Sequence, residues 1–159
     1  MSIYTDIRLL NLELIVLFSK GCTYAIRASL LVTTKEIKDG RKFIPIRELS
    51  EELDLSFHFL TKIMQLLTEA KIMESFRGPN GGVGLARPAK EITLVDVIAA
   101  VDGMALFEGC ALGLPGCGEK TPCPLHDAWA KRRQDLHRMF EKTTMASLAK
   151  ELATNSLRN

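Results

Sequence analysis

Charge of one sign is what this chain has least of: 21 Lys and Arg face 19 Asp and Glu across 159 residues, a formal net charge of +2. Charge alone therefore supports a nucleic-acid partner only weakly, because local clustering matters more than the sum. Long apolar runs are missing as well. None approaches the roughly 18 consecutive apolar residues of a membrane span. The stretch "LELIVLF" carries Glu13 and is followed by no small-residue cleavage site, which predicts a cytoplasmic protein with no membrane partner. Catalytic equipment is scarce too. The three histidines have no paired nucleophile and no phosphate-binding glycine motif follows a strand, so an enzyme is not expected. Internal repeats and low-complexity segments are absent. What is left, 47% hydrophobic and 25% charged, suits one compact core or a small domain with a protruding element.

Periodic apolar residues divide the chain into helices. Ile3, Ile7, Leu10, Leu14 and Leu17 recur at alternating four- and three-residue steps, which predicts an N-terminal helix. "YAIRASLLV" continues as a mostly apolar helix with Arg27 at its polar edge, and "KEIKDGRK" breaks the pattern as a surface loop. In the next segment, Ile46, Leu49 and Leu53 form one stripe and Leu60, Ile63, Met64 and Leu67 a second. The short "DLS" between them lets Ser56 cap the second helix, and such a pair is a helix-turn-helix candidate. "KIMESF" and "VGLARP" flank "RGPNGG". There Pro79 can fix φ and Asn80, Gly81 or Gly82 can supply the positive φ of a tight hairpin, giving a wing. Thr93 and Asp96 form a capping-box pair that opens "EITLVDVIAAVDG", and Gly103 closes it. Pro124 suits the first position of a helix carrying Leu125, Trp129, Leu136 and Phe140, and Thr144 caps a last helix.

On the second helix of the pair, His58, Phe59, Thr61, Lys62 and Gln65 lie largely off the apolar face, near an N-terminus capped by Ser56. That end is the part of a helix-turn-helix that meets the major groove. Lys62 and His58 can donate to phosphates or base edges, Gln65 can pair with adenine, and Phe59 can touch a thymine methyl. Arg77, at the mouth of the hairpin, suits a minor-groove or phosphate contact, because Gly81 and Gly82 let the backbone come close to DNA. The same pattern also fits the solvated side of an amphipathic helix in a protein that binds no nucleic acid.

Cysteine is scarce but unevenly placed. Of four in the chain, Cys110, Cys117 and Cys123 fall within fourteen residues, among Gly109, Gly113, Gly116 and Gly118. In a reducing compartment such clustering points to metal binding or redox chemistry rather than to disulfides. Glycines let a short loop wrap a compact inorganic centre and aim backbone N–H groups at sulfur. If Pro124 begins a helix, Cys123 is its N-cap, where the helix dipole favours thiolate. His126, three residues on, occupies the same face and is the obvious fourth ligand. The spacing Cys-x6-Cys-x5-Cys has no C-x2-4-C pair of the kind zinc sites use, so an iron–sulfur cluster fits better. Zinc and metal-free redox thiols remain open. Cys22 reads as a small core residue, and His137, beside Arg133 and Arg138, as a surface one. An iron–sulfur electron carrier is the rival from another functional class, and the two-helix reader and wing argue against it.

The segments "YAIRASLL", "IRELSEELDLSFHFLTKIMQLLTEAKIMESFRGPNGGVGLARP", "EITLVDVIAAVDG" and "CPLHDAW", in this order, resemble the Rrf2 family of bacterial transcription regulators. That family includes the iron–sulfur cluster regulator and the nitric-oxide-sensitive repressor. The resemblance runs from about residue 18 to 152 and implies a mainly α fold, a winged helix-turn-helix with a long C-terminal dimerisation helix. It divides the chain into an extension (1–17), a winged DNA-binding domain (18–103), a cysteine loop (104–124) and a dimerisation helix with its tail (125–159). It implies a homodimer on double-stranded promoter DNA, controlled by a cluster on Cys110, Cys117 and Cys123. His126 matches the histidine ligand of the two-iron branch, which points to 2Fe-2S. Thr23 stands where the nitric-oxide branch has an aspartate, which argues against 4Fe-4S by that route. Asn80, Val83 and Lys71 also depart from the family pattern, at two wing positions and just after the recognition helix.

Overall fold

A computed structural model describes residues 17–154; the expected N-terminal helix, apart from Leu17, lies outside them. Among the described residues the chain forms seven α-helices and one two-stranded sheet. Helix α1 (Lys20–Asp39) opens at Ser19, whose hydroxyl oxygen accepts from the Cys22 N–H at 3.0 Å. The Ser19 N–H in turn donates to Asp102 at 2.8 Å, tying the helix start to a residue 83 positions away. The helix does not stop before "KEIKDGRK" as expected but runs to Asp39 and is capped by Gly40. Its extra turns are held from outside: Lys35 bonds Glu48 at 3.0 Å and also pairs with Glu52, both on the next helix.

That helix, α2 (Ile46–Glu52), is followed by α3 (Phe57–Glu69). Ser56 caps α3 by accepting from the Phe59 N–H at 3.2 Å. Leu60, Ile63, Met64 and Leu67 of α3 are all buried, as their spacing requires. Strands β1 (Met73–Phe76) and β2 (Gly82–Leu85) pair antiparallel with Phe76 opposite Gly82, forming the expected wing. Two details of the wing differ from expectation. Positive φ falls on Gly78, at 137°, and not on Asn80, Gly81 or Gly82. In addition, Ile44 and Val83 exchange two backbone hydrogen bonds of 2.9 Å, so a single residue from the α1–α2 loop extends the sheet. Gly82 permits this approach, because a Cβ there would stand 2.2 Å from the Ile44 carbonyl oxygen.

After one 3-10 turn (Ala89–Glu91), helix α4 (Leu94–Val101) starts with the full Thr93–Asp96 capping box. A short helix α5 (Ala105–Glu108), the cysteine loop, α6 (His126–Lys142) and α7 (Met145–Thr154) complete the chain. Helix α6 begins two residues later than Pro124 implies, after a turn in which the His126 N–H donates to the Cys123 carbonyl at 2.9 Å. Cys123 is therefore not an N-cap, and its sulfur faces that of Cys110. Thr144 and Ser147 cap α7 reciprocally at 3.1 Å.

The main core joins Ala25, Ala28 and Val32 of α1 to the buried face of α3, to Ile44 and Val83, and to Met145. A second cluster gathers Cys22, Ile98, Phe107 and Phe140, with Phe18 against Phe140 at 5.7 Å. Ile26, Leu94 and Val101 touch both, so the winged part and the C-terminal helices share one interior.

Candidate metal centre and nucleic-acid interface

Sequence separation of thirteen residues between Cys110 and Cys123 is closed by turns. The Gly113 N–H donates to the Cys110 carbonyl at 3.0 Å and the Cys117 N–H to Leu114 at 3.3 Å. Gly113 and Gly116 take φ of +64° and +71°, which L side chains adopt only at a cost. The result is convergence: the Sγ atoms of Cys110, Cys117 and Cys123 all lie within 4.8 Å of one another. Cys110 and Cys123 stand 3.7 Å apart, and Nδ1 of His126 lies 3.4 Å from the Cys117 sulfur. All four groups are half-buried.

The electrostatics show what such a group needs. Backbone N–H groups of Leu114 and Leu112, helped by the neighbouring thiols, bring the Cys110 thiol down to about 7. At Cys117 the backbone N–H of Cys123 pulls the other way from burial and the two adjacent sulfurs, and the net effect is upward. One thiolate forms readily here, and it resists a second beside it. A positive centre removes that conflict, since metal ligation keeps all the thiols deprotonated together. Three sulfurs and an imidazole are a donor set that fits an iron–sulfur centre or zinc.

The loop is fastened to α6 by residues that sequence spacing did not single out for this. Trp129 Nε1–H donates to the Gly109 carbonyl at 2.9 Å, and Arg133 donates to Glu108 and Gly109, both at 2.8 Å. Trp129 was expected on an apolar stripe with Leu125. Leu125 is 46% exposed instead, and the indole acts through its N–H. His137, expected at the surface, is half-buried with its ring edge-on to Phe107 at 4.9 Å.

On α3, His58, Lys62 and Gln65 are exposed along one side. Thr61 is half-buried, its hydroxyl donating to the Phe57 carbonyl at 2.7 Å, and the Ser56 hydroxyl is engaged in the cap. Phe59 does not lie off the apolar face as expected: it packs against the main core, edge-on to Tyr24 at 5.9 Å. The exposed aromatic of α3 is Phe57, which precedes the first apolar repeat and so carries no periodic signal of its facing. Arg77 is exposed at the end of β1, and Gly81 and Gly82 form the return of the wing.

Comparison with known proteins agrees with this architecture. Residues 18–151 match the Rrf2 family, described as iron-dependent transcriptional regulators. The chain is 35% identical over 133 residues to protein aau3 of Rhizobium meliloti, covering 83% of this chain and 84% of that one. It is 31% identical over 135 residues to the HTH-type transcriptional regulator IscR of Vibrio atlanticus, covering 85% and 75%. Its fold superposes on that of CymR, the global cysteine regulator of B. subtilis, with a TM-score of 0.69 at 21% identity, over 84% of this chain and 96% of the other. The family match takes in the winged helix, the cysteine loop and most of the two C-terminal helices. The chain belongs to the Rrf2 family of transcriptional regulators.

Proposed function

We propose that this regulator is a cytoplasmic homodimer whose binding to promoter DNA follows the state of an iron–sulfur cluster, of the 2Fe-2S type, held by Cys110, Cys117, Cys123 and His126. The observation that carries the reading is the meeting of three sulfurs within 4.8 Å, with an imidazole nitrogen 3.4 Å from one of them. When bound, the cluster supplies a redox- and nitric-oxide-sensitive change of charge and of bonding at these four side chains. The 4Fe-4S alternative has less support: Thr23 stands where the other branch has its carboxylate, and its hydroxyl donates to the Ser19 carbonyl at 3.2 Å.

The chain's own residues perform the rest. His58, Thr61, Lys62 and Gln65 of α3, behind the Ser56 cap, enter the major groove, while Arg77, Gly81 and Gly82 bring the wing to the neighbouring minor groove. Helix α6, polar along much of its length but with Met139 53% exposed, pairs the two subunits. Loop and reader are linked by packing: Phe107 beside the loop touches the Cys22–Ile98–Phe140 cluster, whose neighbours Ile26 and Leu94 border the core behind α3. Coupling through such a route is worth about 1–3 kcal/mol, a 5- to 150-fold change in DNA affinity.

Anaerobic purification followed by absorption and Mössbauer spectroscopy tests the cluster, and a gel shift with genomic fragments tests the DNA partner. Wild type is expected to carry iron and sulfide, Cys110→Ala, Cys117→Ala and Cys123→Ala to lose the colour, and His126→Ala to change the spectrum. Stoichiometric zinc without iron overturns the cluster and leaves a zinc- or thiol-based repressor. Coloured protein that shifts no DNA overturns the regulator.

A further inference from the structure

One exposed aromatic side chain stands at the tip of the reading helix with no role yet. Phe57 is the first residue of α3 and is 41% exposed, at the border between the buried face and the exposed face of His58, Lys62 and Gln65. It is braced from two directions. The Arg47 guanidinium lies 5.7 Å from its ring centroid and the His58 imidazole meets it edge-on at 5.9 Å. Arg47 is itself exposed, in the first turn of α2, and makes no ion pair with the described residues. Its neighbours Arg41 and Lys42 are, by contrast, each paired with a carboxylate, on Glu48 and Glu74 at 2.7 and 3.0 Å.

What sets Phe57 apart is its place, at the first position of α3 and beside the Arg47 guanidinium. The N-terminal end of a recognition helix is where base edges are met, and the preceding helix is where the DNA backbone passes. An apolar ring in that place matches the one apolar group on the floor of the major groove, the thymine 5-methyl. A guanidinium beside the same ring, with no ion pair among the described residues, matches a phosphate. We propose that Phe57 and Arg47 form a two-part DNA contact: Phe57 covers a thymine methyl in each half-site, and Arg47 holds the adjoining phosphate and fixes the ring. Phe59 then serves as a positioning residue that seats α3 on Tyr24. This inference rests on the DNA-binding reading and deepens it.

The test uses the full-length, cluster-loaded protein and a duplex that it enriches from a random-sequence pool. Each thymine is replaced in turn by 2′-deoxyuridine, which removes only the methyl group. Wild type is expected to bind about three- to tenfold more weakly when one particular thymine per half-site is replaced, the range set by burying one methyl. Phe57→Ala should be indifferent to that replacement, and Phe57→Leu should keep part of the penalty. Arg47→Ala should lower the salt-dependence slope by about one while leaving the melting temperature unchanged. A methyl penalty that survives in both Phe57 variants, or no thymine with a penalty in wild type, overturns the proposal while the regulator stands. Failure to enrich any duplex removes the DNA-binding reading, and this inference with it.

Discussion

Identical side chains behave differently here according to what surrounds them. Cys22 is fully buried in the second core, and burial, reinforced by the charge of Asp102, pushes its thiol up to about 12. Cys110, with backbone N–H groups aimed at its sulfur, sits near 7. Since the thiolate is the reactive form, iodoacetamide at pH 7.5 should label Cys110 of metal-free protein first and leave Cys22 untouched until urea unfolds the chain. Peptide mass spectrometry reads the order, and early labelling of Cys22 contradicts the packing. Glu48 offers a second case. The Arg41 guanidinium, bonded to it twice at 2.7 Å, and then Lys35 bring its carboxyl down to about 2. A carboxyl lowered on folding stabilises above its unfolded pKa near 4.5 and loses that contribution as pH falls toward 2. Glu48→Gln should therefore cost about 1 kcal/mol or less at pH 7, as befits a partly exposed pair. The difference from wild type should shrink in urea melts at pH 3.

Helices α3, α4 and α7 begin where short-range chemistry says they should, whereas the length of α1 is set with the help of its neighbours. Ser56, Thr93 and Thr144 were all legible as caps, because a cap involves only groups three residues apart. The extra length of α1 was not, since Lys35 finds its carboxylates on α2. Lys71, just past α3, sits at φ +55°, where a left-handed backbone costs a side-chain-bearing residue about 1–2 kcal/mol. Lys71→Gly should stabilise by up to about 1 kcal/mol, part of the relief being cancelled by a more flexible unfolded chain. A thermal melt decides, and a lower midpoint refutes the strain. Gly82→Ala should do the opposite. With its Cβ against the Ile44 carbonyl, the Ile44–Val83 pairing must open at about 2 kcal/mol or more. Loss of amide-exchange protection at those two residues is the specific sign.

Taken together, the elements place α5, which leads into the cysteine loop, and helix α3 on one shared interior. The loop's attachment runs through Trp129, the single tryptophan of the chain, and its N–H bond to Gly109. Trp129→Phe keeps the ring's packing and removes that bond, worth about 1 kcal/mol. The metal-free protein should melt almost as before, while the loaded protein should lose its iron faster to a chelator. Equal rates of loss would show that the anchor does not hold the loop. Because the indole lies against the loop, its fluorescence should also fall on reconstitution with iron and sulfide, giving a direct titration signal.

From its residues alone the chain determined the helix pair and hairpin of a winged helix-turn-helix, the caps of α3, α4 and α7, and the four candidate ligands, because periodicity, capping and glycine-rich turns act within a few positions. Tertiary structure decided which sulfurs meet, that His126 faces Cys117, that Ile44 joins the wing, and that Phe57 rather than Phe59 is turned outward. Each of those depends on groups from separate elements competing for one volume, and no local pattern encodes the outcome of that competition.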